Sequence, residues 1–221
     1  MTRAPRAVLV LAALVLSVLS VLSTLPGAAV AGASDQRGAS DRRTTVEEPH
    51  SGEGYGQPVR RRVTYSVTTR GRITTSLAEF RRQAQQTFDD PRGWRWAGVE
   101  FRRVPRGGDF TLVLSAAALV PSFSSGCSST WSCRVGRFVI INQERWKHAS
   151  PAWNAARRSL RDYRHMVVNH ETGHWLGRGH ASCPPGGGPA PVMMQQSKGT
   201  GACRFNPWPL DGEAAAVRGR R

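Results

Sequence analysis

Lysine and acidic residues are scarce in this chain. Fifteen Asp and Glu stand against 31 Lys and Arg, so the formal net charge is +16, and the only lysines are Lys147 and Lys198. Such a charge attracts anionic partners, and for an exported protein the candidate is an anionic cell-wall polymer. The arginines are spread along the whole chain, however, which is equally typical of a GC-rich genome. The composition therefore predicts no specific nucleic-acid site.

Cysteine is absent before Cys127. A bacterial lipoprotein carries its lipid on a cysteine near the amino terminus, so this type of membrane attachment is excluded. The four cysteines that follow form an even set, which in an oxidising compartment indicates two disulfides. Among the three possible connectivities we favour the local pairs, Cys127 with Cys133 and Cys183 with Cys203. The second pair would tie down a Gly/Pro-rich segment.

Long apolar runs are also absent, except at the amino terminus. Arg3 and Arg6 precede an apolar run at residues 8–21, and Ala29-Val30-Ala31 offers a small-x-small cleavage site. This order is typical of a secretory signal peptide, so residues 1–31 are predicted to direct secretion. The run is nearly long enough for an uncleaved anchor that would hold the domain on the outer side of a membrane. Ser and Thr residues within the run weaken that alternative.

Large apolar residues are almost missing from residue 32 to residue 62 as well. This polar segment, rich in Arg, Gly and Ser, cannot bury enough apolar surface to fold, so it is predicted to be a disordered linker. Residues 63–221 remain, a length that suits one domain with a single core. We expect this domain to be a monomer.

Periodic patterns in residues 63–221 predict both strands and helices. Apolar and polar residues alternate at 63–68, as in a half-buried strand. Ser76 and Glu79 have the spacing of a capping box that begins a helix, and Pro91 ends it. Further strands are predicted at 99–104, 110–114 and 137–142, and a long helix at 160–176. This order suits an α+β domain in which helices cover one side of a small mixed sheet.

The most informative segment is residues 170–180, His-Glu-Thr-Gly-His-Trp-Leu-Gly-Arg-Gly-His. On a helix, His170 and His174 share a face, so both imidazoles can bind one metal ion. Gly177 allows the turn that ends the helix and brings His180 back as a third ligand. Three protein ligands with a fourth position for water are typical of a catalytic zinc site. Glu171, beside that position, is the predicted general base.

The spacing His-Glu-x-x-His-x-x-Gly-x-x-His resembles that of the metzincin clan of zinc metallopeptidases. In that clan a methionine turn lies beneath the metal, and here Met193 follows Val192 at a suitable distance. Tyr163-Arg164, Cys183-Pro184 and Asn206-Pro207-Trp208-Pro209 extend the similarity to an uncharacterised bacterial family of exported metzincin-like domains. This resemblance covers most of residues 60 to 210.

The resemblance implies a zincin-like domain with an active-site helix and a short irregular C-terminal subdomain. It further implies one catalytic Zn²⁺ ion and hydrolysis of a peptide or protein substrate. The chain departs from several metzincin families because Gln195 and Gln196 follow the methionine where those families have a tyrosine near the metal. The resemblance therefore does not identify a group that stabilises the oxyanion.

In such a fold an extended peptide adds to the edge of a sheet above the metal. Residues Phe138–Asn142 are our candidate for that edge strand. Their apolar run is equally typical of an internal strand that is buried on both faces.

Two other functions stay open at this point. Cys183 lies three residues after His180 and would close a His3Cys site, which would make the protein a non-catalytic, zinc-stabilised domain. A basic cell-surface binding module with a vestigial metal site is the second alternative. Our prediction is a secreted zinc-dependent endopeptidase with His170, His174 and His180 as ligands and Glu171 as general base.

Overall fold

The computed structural model of the protein describes residues 57–219. The predicted signal peptide, residues 1–31, lies outside the described residues, and so does the predicted linker, residues 32–62, apart from its last six residues. Those six are already part of the fold: the backbone N–H groups of Arg60 and Arg61 donate to the carbonyl of Gly98 at 2.8 and 3.2 Å. The folded domain thus starts before the predicted boundary at residue 63, because main-chain pairing needs no apolar side chain.

The longer strands and helices all lie before Gly177, and only short elements follow. In chain order they are β1 (Arg61–Arg70), α1 (Leu77–Asp89), β2 (Val99–Arg103), β3 (Phe110–Ser115), β4 (Cys133–Val135), β5 (Phe138–Asn142), α2 (Gln143–His148), α3 (Pro151–Ala155), α4 (Leu160–Trp175), β6 (Gly188–Pro189), β7 (Cys203–Arg204) and α5 (Asp211–Arg218). A 3₁₀ segment, Ala117–Phe123, lies between β3 and β4, and a 3₁₀ turn, Gln196–Lys198, precedes β7. The protein is a mixed α/β fold.

Five strands form one mixed sheet in the order β2-β1-β3-β5-β4, and β6 and β7 form a separate two-stranded ladder. Four strands of the large sheet are parallel, and β4 pairs antiparallel to β5. The candidate edge strand Phe138–Asn142 is therefore an internal strand, and its prediction as an edge is wrong. The edges are β2 and β4, and β4, the edge next to β5, covers only three residues and shows no periodicity that a sequence pattern would reveal.

The loop between β2 and β3, residues 104–109, passes across β1. Both strands are parallel to β1, and Tyr65 lies opposite the end of β2 on one side and the start of β3 on the other. Gly108 has a φ of +87°, and a Cβ there would lie 3.0 Å from the backbone of Thr64, so this crossing requires glycine. The Asp109 carboxylate holds the loop by accepting hydrogen bonds from the Thr64 N–H and hydroxyl at 2.7 and 2.9 Å.

The two faces of the sheet are covered by different parts of the chain. On one face Leu112, Leu114 and Ile141 join the large core that includes side chains of α1 and α4. On the other face Val113 and Ile140 pack in a smaller cluster with residues of the 3₁₀ segment and with Cys127. The alternation follows from the period of two in a strand, and the helices α1 and α4 pack on the first face, as predicted.

Serine side chains begin the two long helices. Ser76 accepts a hydrogen bond from the Glu79 N–H at 3.2 Å, and Ser159 accepts one from the Asp162 N–H at 3.0 Å. The predicted capping box at α1 is only half formed, because the Glu79 carboxylate pairs with Arg164 of α4. Within residues 57–219 no helix has the length and apolar character needed to span a membrane.

Two disulfides join the cysteines in the local pairs favoured from the sequence, Cys127–Cys133 and Cys183–Cys203. They indicate an oxidising compartment. The second bridge lies next to the β6–β7 ladder, in the part of the chain that follows α4. That segment has few regular elements, so the bridge supplies a constraint that backbone pairing does not.

Candidate metal centre

The three histidines of residues 170–180 come together at the carboxyl end of α4. His170 and His174 lie one helical turn apart on α4, which ends at Trp175. The chain then reverses at Gly177, where φ is +85°, a conformation that favours glycine. The reversal brings His180 back, so that ligand atoms of the three imidazoles lie within 4.8 Å of one another.

The imidazole nitrogens are oriented by bonds to the backbone. His170 Nδ1 lies 2.8 Å from the carbonyl oxygen of Val192, and His174 Nδ1 lies 2.9 Å from that of Arg178. A carbonyl can only accept a hydrogen bond, so both Nδ1 atoms carry the proton and donate. Their Nε2 atoms therefore present lone pairs. The Nε2 of His174 is 3.2 Å from that of His170 and 3.1 Å from that of His180.

These nitrogens fit a zinc ion. Neutral imidazole is a preferred zinc ligand with Zn–N distances of about 2.0–2.1 Å, and tetrahedral geometry then separates two ligand nitrogens by about 3.3 Å. The two Nε2–Nε2 distances at His174 are close to that spacing. A backbone carbonyl on the remote nitrogen of a ligating histidine is the usual outer-sphere support. His170, His174 and His180 would hold the ion.

Burial keeps the imidazoles in the neutral form that binds metal. Burial, followed by the proximity of His174, lowers the pKa of His170 to about 3. Burial likewise lowers the pKa values of His174 and His180, and the charge of Lys198 lowers that of His180 further. Protons thus compete weakly with a metal ion for these nitrogens.

Glu171 is buried on α4 between the first two histidines and lines the same cleft. Burial raises the pKa of its carboxyl group to about 8, and the charge of Arg134 partly opposes the shift. A buried carboxyl group beside three convergent imidazoles is the type of group that exchanges protons in an active site.

Met193 is buried against α4 next to Gly173. Its side chain is 1 % exposed, and a Cβ at Gly173 would approach the Met193 sulfur to 2.3 Å. Glycine at position 173, inside the ligand-bearing turn of α4, is therefore what lets the methionine side chain approach the helix. The same Cβ would lie 2.7 Å from Trp94, so position 173 has no space for a side chain on either side.

The histidines open onto a cleft of about 530 Å³. One wall is the loop closed by Cys127–Cys133 together with β4, the second is α4, and the third is residues 195–198. A volume of this size suits a small ligand or a few residues of a peptide. The cleft makes the metal centre accessible from solvent.

The closed His3Cys alternative is wrong. Cys183 is bonded to Cys203, and a sulfur atom in a disulfide has no thiolate to offer a metal. Within the described part of the chain, the group of side chains able to hold a metal ion consists of His170, His174 and His180. A fourth coordination position thus remains available for a molecule other than the protein.

Comparison with known proteins places the chain in a family. The sequence profile of the family described as "Protein of unknown function (DUF3152)" matches residues 30–211. The chain belongs to the DUF3152 family. No curated protein matches it in sequence. Among solved structures it is similar to archaemetzincin from Methanopyrus kandleri, with 17 % identity, a TM-score of 0.43, and coverage of 71 % of this chain and 94 % of that chain.

Sequence reasoning missed Glu213, a buried residue of α5 in this DUF3152 protein. Its carboxylate accepts hydrogen bonds from the N–H groups of Val192, Met193 and Leu210 at 2.9, 2.8 and 2.8 Å. Since Val192 in turn accepts the bond from His170 Nδ1, Glu213 supports a predicted metal ligand through one peptide unit. No motif joins residues 20 positions apart, so only the fold reveals this contact.

The two glutamines after the methionine differ in position. Gln196 is fully buried and bonds the backbone of Asn206 and Pro191, so it braces the turn from inside. Gln195 is exposed and accepts a hydrogen bond from Lys198 Nζ at 3.2 Å. Gln195 and Lys198 are therefore the exposed polar side chains of this segment that line the cleft.

Proposed function

We propose that the protein is a secreted, zinc-dependent endopeptidase. The observation that carries the proposal is the convergence of three imidazole Nε2 atoms beside a buried carboxyl group in an accessible cleft. A zinc ion bound in such a site polarises the scissile carbonyl as a Lewis acid and lowers the pKa of water to about 7. The residues of the chain supply the remaining functions.

Glu171 is the proposed general base and acid. Its carboxylate would remove a proton from the attacking water and return it to the nitrogen of the leaving amine. Burial around Glu171 excludes bulk water, which keeps the transferred proton on this path. His170 and His174 are held by their bonds to backbone carbonyls, so their positions change little while the proton moves.

The proposed path of the substrate follows β4. This strand is paired on one side only and contributes Cys133 and Arg134 to the cleft. Its free main-chain groups can bind an extended peptide by strand addition. The scissile bond of a peptide in this position would lie next to the histidines.

The test is zinc content together with cleavage of a broad peptide library by the full chain and by Glu171→Gln. We expect close to one zinc per protein in both, and cleavage by the wild type alone. Glu100→Gln is the matched control, because Glu100 is an exposed residue of β2 that forms a surface ion pair with Arg62. Zinc in all three proteins with cleavage by none would favour a non-catalytic zinc domain.

A further inference from the structure

Two walls of the cleft carry permanent positive charge. Among the described residues that line the cleft, the permanent cations are Arg134 and Lys198, and Glu171 is the one carboxylate. Arg134 belongs to the edge strand β4, and Lys198 ends the 3₁₀ turn that follows the methionine. The two cations therefore reach the metal centre from separate parts of the fold.

Arg134 is fixed beside the metal centre. Its Nη2 donates to the carbonyl oxygen of His174 at 2.8 Å, in the last turn of α4. A guanidinium group has five N–H donors in a rigid plane, so four remain after this bond. Arg134 lines the cleft together with Glu171 and His174, so a ligand at the histidines would lie within reach of its guanidinium group.

Lys198 is held at the third wall of the cleft. Its ammonium group donates to Gln195 Oε1 at 3.2 Å, which leaves two of its three N–H donors for other acceptors. Lys198 and His180 line the same cleft, so this cation also lies beside a predicted ligand. An extended peptide next to the histidines would pass both cations.

Neither cation is neutralised by the fold. Within residues 57–219, Arg134 and Lys198 make no ion pair, whereas Arg62, Arg92 and Arg164 each pair with a carboxylate. In a chain with a net charge of +16 some cations will line any cleft. These two differ from a scattered surface charge because a hydrogen bond orients each of them at the metal centre.

We infer that the cleft selects peptides that present a carboxylate next to the cleaved bond. The inference rests on the proposed peptidase function and adds its substrate class. The carboxylate belongs either to an acidic side chain, which suits an endopeptidase, or to the C-terminus of the peptide, in which case the peptidase acts as a carboxypeptidase. In both cases Arg134 can bind it with two parallel N–H···O bonds, and Lys198 adds a point charge.

The first experiment measures binding, so that it does not depend on cleavage. The zinc-loaded full-length Glu171→Gln protein is titrated with peptides of one sequence that carry Glu or Gln, and a free acid or an amide at the C-terminus. We expect the preferred carboxylate to strengthen binding about tenfold, about 1.4 kcal/mol, with an advantage that shrinks as salt is added. The Glu series reports a side-chain carboxylate, and the free-acid series reports a terminal one.

The second experiment reverses the charges. Arg134→Glu and Lys198→Glu, each in the Glu171→Gln background, should remove the preference for the carboxylate and favour a peptide with Lys in its place. Lys147→Glu is the matched control, since Lys147 is the other lysine of the chain and lies on α2, next to Glu144. The control should keep the wild-type preference.

Three outcomes would overturn the inference. The first is equal binding of charged and neutral peptides, and the second is no measurable binding of any peptide. The third is a loss of binding affinity in Arg134→Glu that is the same for every peptide. The last result would show that Arg134 only supports the end of α4. Cleavage without preference for a carboxylate would leave the proposed peptidase intact, whereas selective binding without cleavage would contradict the peptidase alone.

Discussion

The histidines lie where two differently stabilised regions of the domain meet. Up to Trp175, long parallel strands and the helices α1 to α4 share an apolar core that includes the fully buried Trp94, Trp146 and Trp153. After Trp175 the strands have two residues each, few side chains join this core, and buried polar side chains bond to the backbone. The first region is determined by repeated apolar positions and the second by a few individual contacts. Single substitutions should therefore reduce the stability of the protein most when they lie in the second region.

Glu213→Gln is the substitution in the second region that should reduce stability and zinc affinity most. The amide leaves one oxygen for three backbone N–H groups and turns an NH₂ group toward donors, so we expect a loss of about 4 kcal/mol in the free energy of unfolding. The zinc affinity should fall by roughly 10- to 100-fold, because the peptide that orients His170 loses its support. Urea unfolding without metal and a zinc titration measure the two effects.

Asp211→Asn is the control for Glu213→Gln. It makes the same chemical change two residues earlier on α5, where the side chain is exposed and its amide oxygen can still accept the hydrogen bond from Trp96 Nε1. We expect little change in stability or zinc affinity. A Glu213→Gln protein as stable as Asp211→Asn would show that the turn does not depend on the buried carboxylate.

The disulfide of the second region should make the next largest contribution to the free energy of unfolding. Cys183 and Cys203 are 20 residues apart, so chain entropy predicts a loss of about 3 kcal/mol for Cys183→Ser or Cys203→Ser. The Cys127–Cys133 bridge closes only six residues, and its loss should cost about 2 kcal/mol. Thermal unfolding of the serine variants compares the two bridges.

Zinc content provides the critical comparison between the two serine variants. Because both residues act through one bridge, Cys183→Ser and Cys203→Ser should retain the same amount of zinc. Loss of zinc in Cys183→Ser alone would restore the sulfur of Cys183 as a metal ligand and contradict the structure.

The smallest effect that we expect is the pH dependence of stability that His165 causes at the boundary between the two regions. This α4 residue is 5 % exposed and packs against Trp208 of the second region. Its Nδ1 lies 2.8 Å from the Thr87 hydroxyl, whose own proton goes to the Gln83 carbonyl, so His165 donates from Nδ1. Its Nε2 accepts a hydrogen bond from Arg161 Nε at 3.5 Å, so the imidazole is neutral. Burial, with a further contribution from Arg161, lowers the pKa of His165 from 6.5 to about 4.

The sign of the pH effect follows from this lowered pKa. Between pH 6.5 and pH 4 the unfolded chain binds a proton at His165, whereas the folded protein does not. The stabilisation is thus complete above about pH 6.5 and is lost as the pH falls toward 4, with about 2 kcal/mol lost between pH 7 and pH 5. In zinc-free protein, His165→Gln should show a smaller loss over this range than the wild type. Equal losses of stability in the two proteins would show that a group other than His165 titrates.

The sequence predicted the first region better than the second. The period of two in β1, the cap at Ser76 and the histidine spacing are local signals, so α1, α4 and the assembly of His170, His174 and His180 followed from neighbouring residues. The edge strand β4 did not follow, because three residues carry no period. Nor did the crossing of β1 by residues 104–109, since strand order depends on pairings between distant segments.

The C-terminal region shows the same limit more strongly. Cys183 and Cys203 were open to prediction because cysteine has few roles in an oxidising compartment. Glu213 was not, because a glutamate in a helix is normally exposed and nothing in the sequence relates it to Val192. Contacts between one side chain and a distant backbone need the fold before they can be identified.

The position of His180 has a consequence for metal capture. Two ligands sit on a rigid helix, while the third sits on a turn only three residues before the bridged Cys183. The bridge therefore sets the effective concentration of the third imidazole around the first two. Once the bridge has formed, a zinc ion held by the two histidines of α4 would gain His180 as a third ligand at little further entropic cost. Oxidation of the cysteines would precede stable metal loading, and a reduced chain would exchange its zinc faster.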